Sequence, residues 1–115
     1  MGLRCLCDVS VALCPEIGLV GFNNTVEFLV NVTGLCENCT ATCSLSNSGT
    51  CTLTSTDVST PSESIPVGPG ETLVTANVII QECPITVTLT VTCLDEFGRI
   101  TCTESADCPI SNCVA

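Results

Sequence analysis

Twelve cysteines are the residues of this sequence with the most evident chemistry. About one cysteine in ten residues is the density of disulfide scaffolds, and an even number permits complete pairing. A chain of 115 residues is long enough to build its own hydrophobic core. Because each native bridge contributes about 2–4 kcal/mol, six bridges exceed what folding alone requires. Some of these cysteines are therefore candidates for bonds between subunits.

The positions of the cysteines relative to the predicted strands divide them into two groups. One group lies in or between core strands and is predicted to form bridges inside the domain: Cys36, Cys39, Cys43, Cys51, Cys83 and Cys93. The other group lies near the two ends of the chain, where bonds between subunits and local bonds both stay open: Cys5, Cys7, Cys14, Cys102, Cys108 and Cys113. The connectivity does not follow from sequence.

A metal site is the rival interpretation of the cysteines. Cys36-Glu37-Asn38-Cys39 has the two-residue spacing with which thiolates hold zinc. The chain contains one such pair and no histidine, and its other cysteines are spread along predicted strands. We therefore expect neither a metal site nor a cofactor, with a thiolate metal-binding protein as a further alternative.

Catalysis is disfavoured by the residue types that the sequence lacks. General acid–base chemistry at neutral pH uses His, or Glu, Lys or Tyr with a shifted pKa, and His, Lys and Tyr are absent. A nucleophilic Ser or Cys would lack its usual histidine partner. The sequence thus predicts no catalytic residues and a protein that is not an enzyme.

The element that best reveals the fold is the stretch Ile85–Cys93, in which apolar residues and threonines alternate without error. Alternate side chains of a β-strand point to opposite faces, so the apolar residues and Cys93 share one face. Val26, Phe28, Val30 and Val32 repeat this pattern. With no Trp or Tyr and many β-branched residues, the composition indicates an all-β protein.

The strand pattern predicts one domain preceded by an extended arm. Residues 1–14 are the arm, a possible connector between subunits, and residues 15–115 form the domain. About eight short strands separated by turn residues predict a single Ig-like or jelly-roll-type β-sandwich. The last predicted strand covers residues 99–103, followed by a turn-rich, cysteine-rich tail.

The net charge of −10 limits the partners that the chain is expected to bind. A nucleic-acid-binding protein needs a basic surface, and this chain has only Arg4 and Arg99 as cations. No stretch approaches the roughly 20 apolar residues of a membrane helix, so we expect no membrane insertion. Leu3–Phe22 is interrupted by cysteines, charges and Pro15 and is not predicted to be a signal peptide. Either a leader has already been removed, or the protein leaves its cell without one, for example by lysis of the producing cell.

Two resemblances support a surface protein. Residues 64–80, SIPVGPGETLVTANVII, resemble bacterial immunoglobulin-like surface modules, in which a Pro-Gly-Glu turn precedes a core strand, and this resemblance covers roughly residues 25–103. The layout, a cysteine-bearing arm before a small sandwich, is similar to endospore-appendage fibre subunits. In that family the arm forms disulfides with other subunits, which by resemblance would assign this role to Cys5, Cys7 and Cys14.

These observations favour a structural subunit that self-assembles into an extracellular, disulfide-stabilised filament or surface layer. Its partner would be further copies of itself, and its location would be extracellular or at the cell or spore surface. A monomeric, secreted, disulfide-rich binding module with all six bridges internal is the main alternative.

Overall fold

Apolar and polar side chains alternate along the central strands of the structure. A computed structural model describes residues 4–115, and this part of the chain forms strands and no helix. No helix suited to crossing a membrane occurs among these residues. The strands are β1 (Leu6–Leu13), β2 (Ile17–Leu19), β3 (Asn23–Thr33), β4 (Cys39–Leu45), β5 (Gly49–Ser55), β6 (Ser64–Pro66), β7 (Gly70–Ile80), β8 (Ile85–Leu94), β9 (Ile100–Ile110) and β10 (Asn112–Val114). The predicted all-β class is confirmed.

Two four-stranded sheets face each other. The first has the order β1-β3-β7-β5 and the second β6-β4-β8-β9, each with antiparallel pairing throughout. Short β2 and β10 pair in parallel as a separate two-stranded sheet. The molecule measures 54 × 24 × 22 Å. One narrow end carries the β1–β2 connection (Cys14–Glu16), and the opposite end carries the β8–β9 turn; they are called the β1–β2 end and the β8–β9 end below.

The core consists of the inward-facing side chains of the two sheets. In β8, Ile85, Val87, Leu89, Val91 and Cys93 are all buried while the threonines between them are half-buried. Phe28 on β3 is the one phenylalanine in the core. Aliphatic and β-branched side chains fill the remaining space. This confirms the inward face predicted for residues 85–93.

The predicted arm is an edge strand of the first sheet. Residues 1–3 of the arm lie outside the described residues, while β1 pairs with β3 from Leu6 opposite Thr33 to Leu13 opposite Glu27. Within β1, Val9 is buried in the core. Pro15, which follows β1, lies in the short connection to β2, where a proline is compatible with a turn inside one domain.

The end of the chain also differs from the sequence-based expectation. Residues 99–103 were predicted as a short last strand before a turn-rich tail, whereas β9 continues to Ile110 and β10 follows it. Only Cys108 and Ile110 of β9 are buried. As an edge strand, β9 pairs along one side only, and exposed Glu104 interrupts its otherwise apolar inward-facing row, so the alternation is incomplete.

Asp95 shapes the β8–β9 turn. Its carboxylate accepts hydrogen bonds from the backbone N–H groups of Phe97 and Arg99, at 2.8 and 2.9 Å, and pairs with the Arg99 guanidinium at 3.2 Å. The backbone hydrogen bond from Arg99 is the largest influence that holds the pKa of Asp95 below its ordinary value. The Asp95 side chain thus holds the backbone of this turn at both Phe97 and Arg99.

A buried asparagine holds the β1–β2 end together. Asn24 accepts a hydrogen bond from the Leu19 N–H at 2.8 Å, and its amide nitrogen lies within 3.2 Å of the carbonyl oxygens of Leu19, Phe22 and Val78. Asn24 is the second residue of β3. The side chain ties β2 to both β3 and β7.

Replacing Asn24 with Ala should lower the free energy of unfolding by about 2–3 kcal/mol, because buried polar backbone groups lose their partner. Asn31→Ala, on the same strand, is the control, since the Asn31 side chain makes no hydrogen bond to the described part of the chain. Guanidinium unfolding with the bridges intact measures both variants. Equal losses for the two variants would contradict the assigned role of Asn24.

Candidate functional site: the disulfide network

All twelve cysteines are paired within the chain, and the described residues contain no free thiol. The bridges are Cys5–Cys36, Cys7–Cys102, Cys14–Cys108, Cys39–Cys93, Cys43–Cys51 and Cys83–Cys113. Their distribution over the sandwich, rather than any pocket, is the most distinctive chemical feature of the molecule.

Three bridges attach β1 to the rest of the protein. Cys7–Cys102 and Cys14–Cys108 join β1 to β9 across the open side between the sheets, with Cα atoms 6.1 and 5.7 Å apart. The Cys7 N–H also donates to the Cys102 Sγ at 3.1 Å. Cys5–Cys36 connects the start of β1 to the β3–β4 loop. Segment 5–14 is therefore bonded twice near its beginning and once at its end.

The other three bridges lie outside the β1 segment. Cys43–Cys51 joins β4 to β5 and closes the opposite open side of the sandwich. Cys83–Cys113 holds the short β10 near the β7–β8 turn. Cys39–Cys93 links two residues that are direct partners in the β4–β8 pairing. These three bonds would persist if β1 were removed.

The structure pairs the cysteines differently from the two groups drawn from sequence. The candidates for bonds between subunits, Cys5, Cys7, Cys14, Cys102, Cys108 and Cys113, all have partners in their own chain. Of the domain candidates, Cys39–Cys93 and Cys43–Cys51 pair with each other, while Cys36 and Cys83 bond to the other group. The reason is topological, because β1 and β9 are neighbouring edges of opposite sheets.

Two of the bridges meet in a cluster of four sulfur atoms. The Sγ atoms of Cys5, Cys36, Cys39 and Cys93 all lie within 4.8 Å of one another. Three of the residues are buried and Cys36 is half-buried. We call this group the four-sulfur cluster. It lies at the β8–β9 end, where the Cys36-x-x-Cys39 segment folds back onto β8.

Local backbone geometry brings Cys36 and Cys39 together. Asn38 has a φ of 46°, in the left-handed region that asparagine tolerates better than most residues. The carbonyls of Glu37 and Asn38 accept hydrogen bonds from the Leu94 N–H at 3.2 and 3.3 Å. The loop is therefore fastened beside Cys93.

Gly34 permits the close approach of the chain that carries Cys5. Its φ is +81°, and a Cβ at this position would clash with the backbone carbonyl oxygen of Arg4. Its contact with residue 4 could not be found from sequence, because the two positions are far apart along the chain.

A shallow cleft of about 290 Å³ lies beside the Cys43–Cys51 bridge. Its polar lining includes Asn47, Ser48 and the single carboxylate of Glu63. Within this lining, Ser48 Oγ donates a hydrogen bond to the Glu82 carboxylate at 2.7 Å.

Exposed apolar side chains concentrate at the two narrow ends of the molecule. At the β1–β2 end they surround the connection between these strands: Leu13, Ile17, Leu19, Phe22 and Val114. At the β8–β9 end they are Leu6, Leu35, Phe97 and Ile100. Phe22 and Phe97 are 63% and 73% exposed at opposite ends. Clustered apolar exposure of this kind is typical of interaction surfaces.

No family model matches the sequence, and no curated protein matches it. Two solved structures are similar. A lipoprotein from Bacteroides thetaiotaomicron has a TM-score of 0.52 at 18% identity, covering 93% of this chain and 80% of that one. A conjugative transposon lipoprotein from Bacteroides eggerthii has a TM-score of 0.55 at 14% identity, covering 92% and 97%. At such identities the similarity establishes a shared β-rich fold.

Gly34→Ala should destabilise the protein by at least about 2 kcal/mol more than Gly98→Ala. Both glycines have a φ of +81°, but a Cβ at Gly98 meets nothing within 4 Å, so each variant carries the same backbone cost of about 1–2 kcal/mol. Only Gly34→Ala adds the clash with Arg4. Guanidinium unfolding measures the difference, and equal losses would show that the close approach is not needed.

Proposed function

We propose that this protein is a structural subunit that self-assembles outside the cytoplasm by exchanging β1 between neighbouring copies. The carrying observation is that Cys5, Cys7 and Cys14 all bond to cysteines outside their own segment. A neighbour presents the same β3 edge and the same Cys36, Cys102 and Cys108. The pairing and all three bridges can therefore form between two copies without a new contact.

The position of β1 favours such an exchange. It is an edge strand near the start of the described chain, and the three residues Cys14–Glu16 join it to β2. Proline in this connection restricts Cys14 to extended conformations. An opened connection would direct β1 away from its own domain. The remaining domain keeps both sheets and the other three bridges.

The apolar ends support growth of the assembly beyond a pair. Since the connection is short, exchange brings the β1–β2 ends of two copies together and buries the apolar residues around them. The β8–β9 end, with Leu35 and Phe97 exposed, faces outwards from the pair. Contacts between these outer ends would join pairs lengthwise into a filament, with covalent and apolar junctions in alternation.

A location outside the cytoplasm is supported by the chemistry of the bridges. Disulfides persist in oxidising environments such as cell surfaces and extracellular space. The two proteins with a similar fold are described as lipoproteins. We further propose that the role is non-enzymatic, because the sequence has no histidine, lysine or tyrosine, and that the partner is another copy of the chain.

Two complementary variants test the exchange. The first chain carries Cys5→Ser, Cys7→Ser and Cys14→Ser, and the second carries Cys36→Ser, Cys102→Ser and Cys108→Ser. Neither variant can form the three β1 bridges by itself. In the mixture, β1 of the second variant can bond to the Cys36, Cys102 and Cys108 of the first. Oxidative refolding of the mixture should give a disulfide-linked dimer on a non-reducing denaturing gel, which reduction returns to 11.9 kDa chains.

The matched control is each variant refolded alone, which should give no dimer bonded through these positions. Peptide mapping of the mixed dimer should find Cys7 of one chain bonded to Cys102 of the other. The exchange would be contradicted if the mixture contained only monomers and the wild-type protein stayed a compact monomer. That result would favour a secreted monomeric binding module.

A further inference from the structure

We propose that the four-sulfur cluster is, in its reduced form, a tetrahedral thiolate site for a divalent cation of the zinc class. This inference does not depend on strand exchange, because all four cysteines are supplied by one chain. The site consists of Cys5, Cys36, Cys39 and Cys93.

The separations within the cluster fit this coordination. With Zn–S bonds of about 2.3 Å, the four sulfurs of a regular tetrahedron are about 3.8 Å apart. The cluster already holds its sulfurs within 4.8 Å of one another. Once the two bridges are reduced, the sulfurs of each former bridge must move apart to this separation, by rotation of their side chains, to surround one ion.

The scaffold around the cluster is ordered by backbone contacts that do not involve the bridges. The pairing of β4 with β8 sets Cys39 opposite Cys93, and the Leu94 N–H fastens the Cys36-x-x-Cys39 loop. The contact of Gly34 with Arg4 brings Cys5 to the same end. Burial of three ligands limits access of water, as in closed structural zinc sites.

The other bridges do not offer the same arrangement. Among the described residues, this is the one group of at least three potential ligands close enough to share an ion. Cys43 and Cys51, which bridge β4 and β5, provide two thiols after reduction. Four cysteines would therefore serve as ligands in the reduced chain, and the other eight form bridges only.

Conversion of the two bridges into a zinc site requires their reduction first. Two equivalents of a dithiol reductant reduce the two bridges to four thiols and are themselves oxidised to two disulfides. Binding of Zn²⁺ then displaces four protons and leaves a tetrathiolate with a net charge of −2. Such a form would hold β1, β4 and β8 together before oxidation, in the reducing compartment where the chain is made.

The test uses the full chain reduced with a phosphine, desalted under anaerobic conditions and supplied with Zn²⁺ or Co²⁺ alone. We expect one tightly held ion per chain after gel filtration, and a cobalt spectrum of tetrahedral thiolate ligation. Cys36→Ser and Cys39→Ser should each weaken binding by about tenfold or more, because a four-ligand site loses one ligand. Cys43→Ser is the matched control and should bind as the parent does.

Two results would overturn the proposal. One is a reduced chain that retains no zinc after gel filtration. The other is equal loss of affinity in Cys36→Ser, Cys39→Ser and Cys43→Ser, which would mean diffuse binding by many thiols. Far-UV circular dichroism with and without Zn²⁺ adds a second readout, in which the ion should increase strand content in the parent and the control but not in Cys39→Ser.

Discussion

The bridges between β1 and β9 are the constraint on which the sandwich most depends. Two open sheets that face each other have four edges, and their mutual burial is opposed by the conformational entropy of the edge strands. The core that must offset this cost contains one phenylalanine and otherwise mainly aliphatic side chains. Cys7–Cys102 and Cys14–Cys108 join one pair of edges, and on the opposite side Cys43–Cys51 joins the edge strand β5 to β4, the neighbour of the short edge strand β6. Sulfur thus closes both sides of a thin core.

The central strands could be predicted from sequence because they are buried on one face along their whole length. In β8 every second residue is buried, so the residue pattern alone determines the strand, its extent and its inward face. The same holds for Val26 to Val32 in β3. Edge strands bury less of their inward face, so their residue pattern is less regular. In β9, Glu104 is exposed on the same side of the strand as buried Cys108, and Pro109 is accepted where a central strand would exclude it.

The candidate site was less predictable than the fold. Cys36 and Cys39 were recognisable as a pair, but their proximity to Cys5 and Cys93 depends on the register of β4 with β8 and on the contact of Gly34 with Arg4. The partners of Cys7 and Cys14 are 95 and 94 residues away. Only the topology, which sets β1 beside β9, identifies them. Local spacing carries no information about such bonds.

Because of the same topology, the segment predicted as an arm can act either as an edge strand of its own domain or as a connector to a neighbour. The edge strand β1, held by pairing on one side and by three bridges, has its complete set of partners on the remaining domain. Those partners are identical in every copy, so the contacts themselves do not distinguish a closed monomer from an exchanged assembly. The difference lies in the Cys14–Glu16 connection and in the apolar surface around it, which water covers in the monomer and a neighbour covers after exchange. In the proposed exchange, burial of Phe22 and Leu13 would favour the assembled form as concentration rises, and the bridges would make the outcome permanent once they are oxidised.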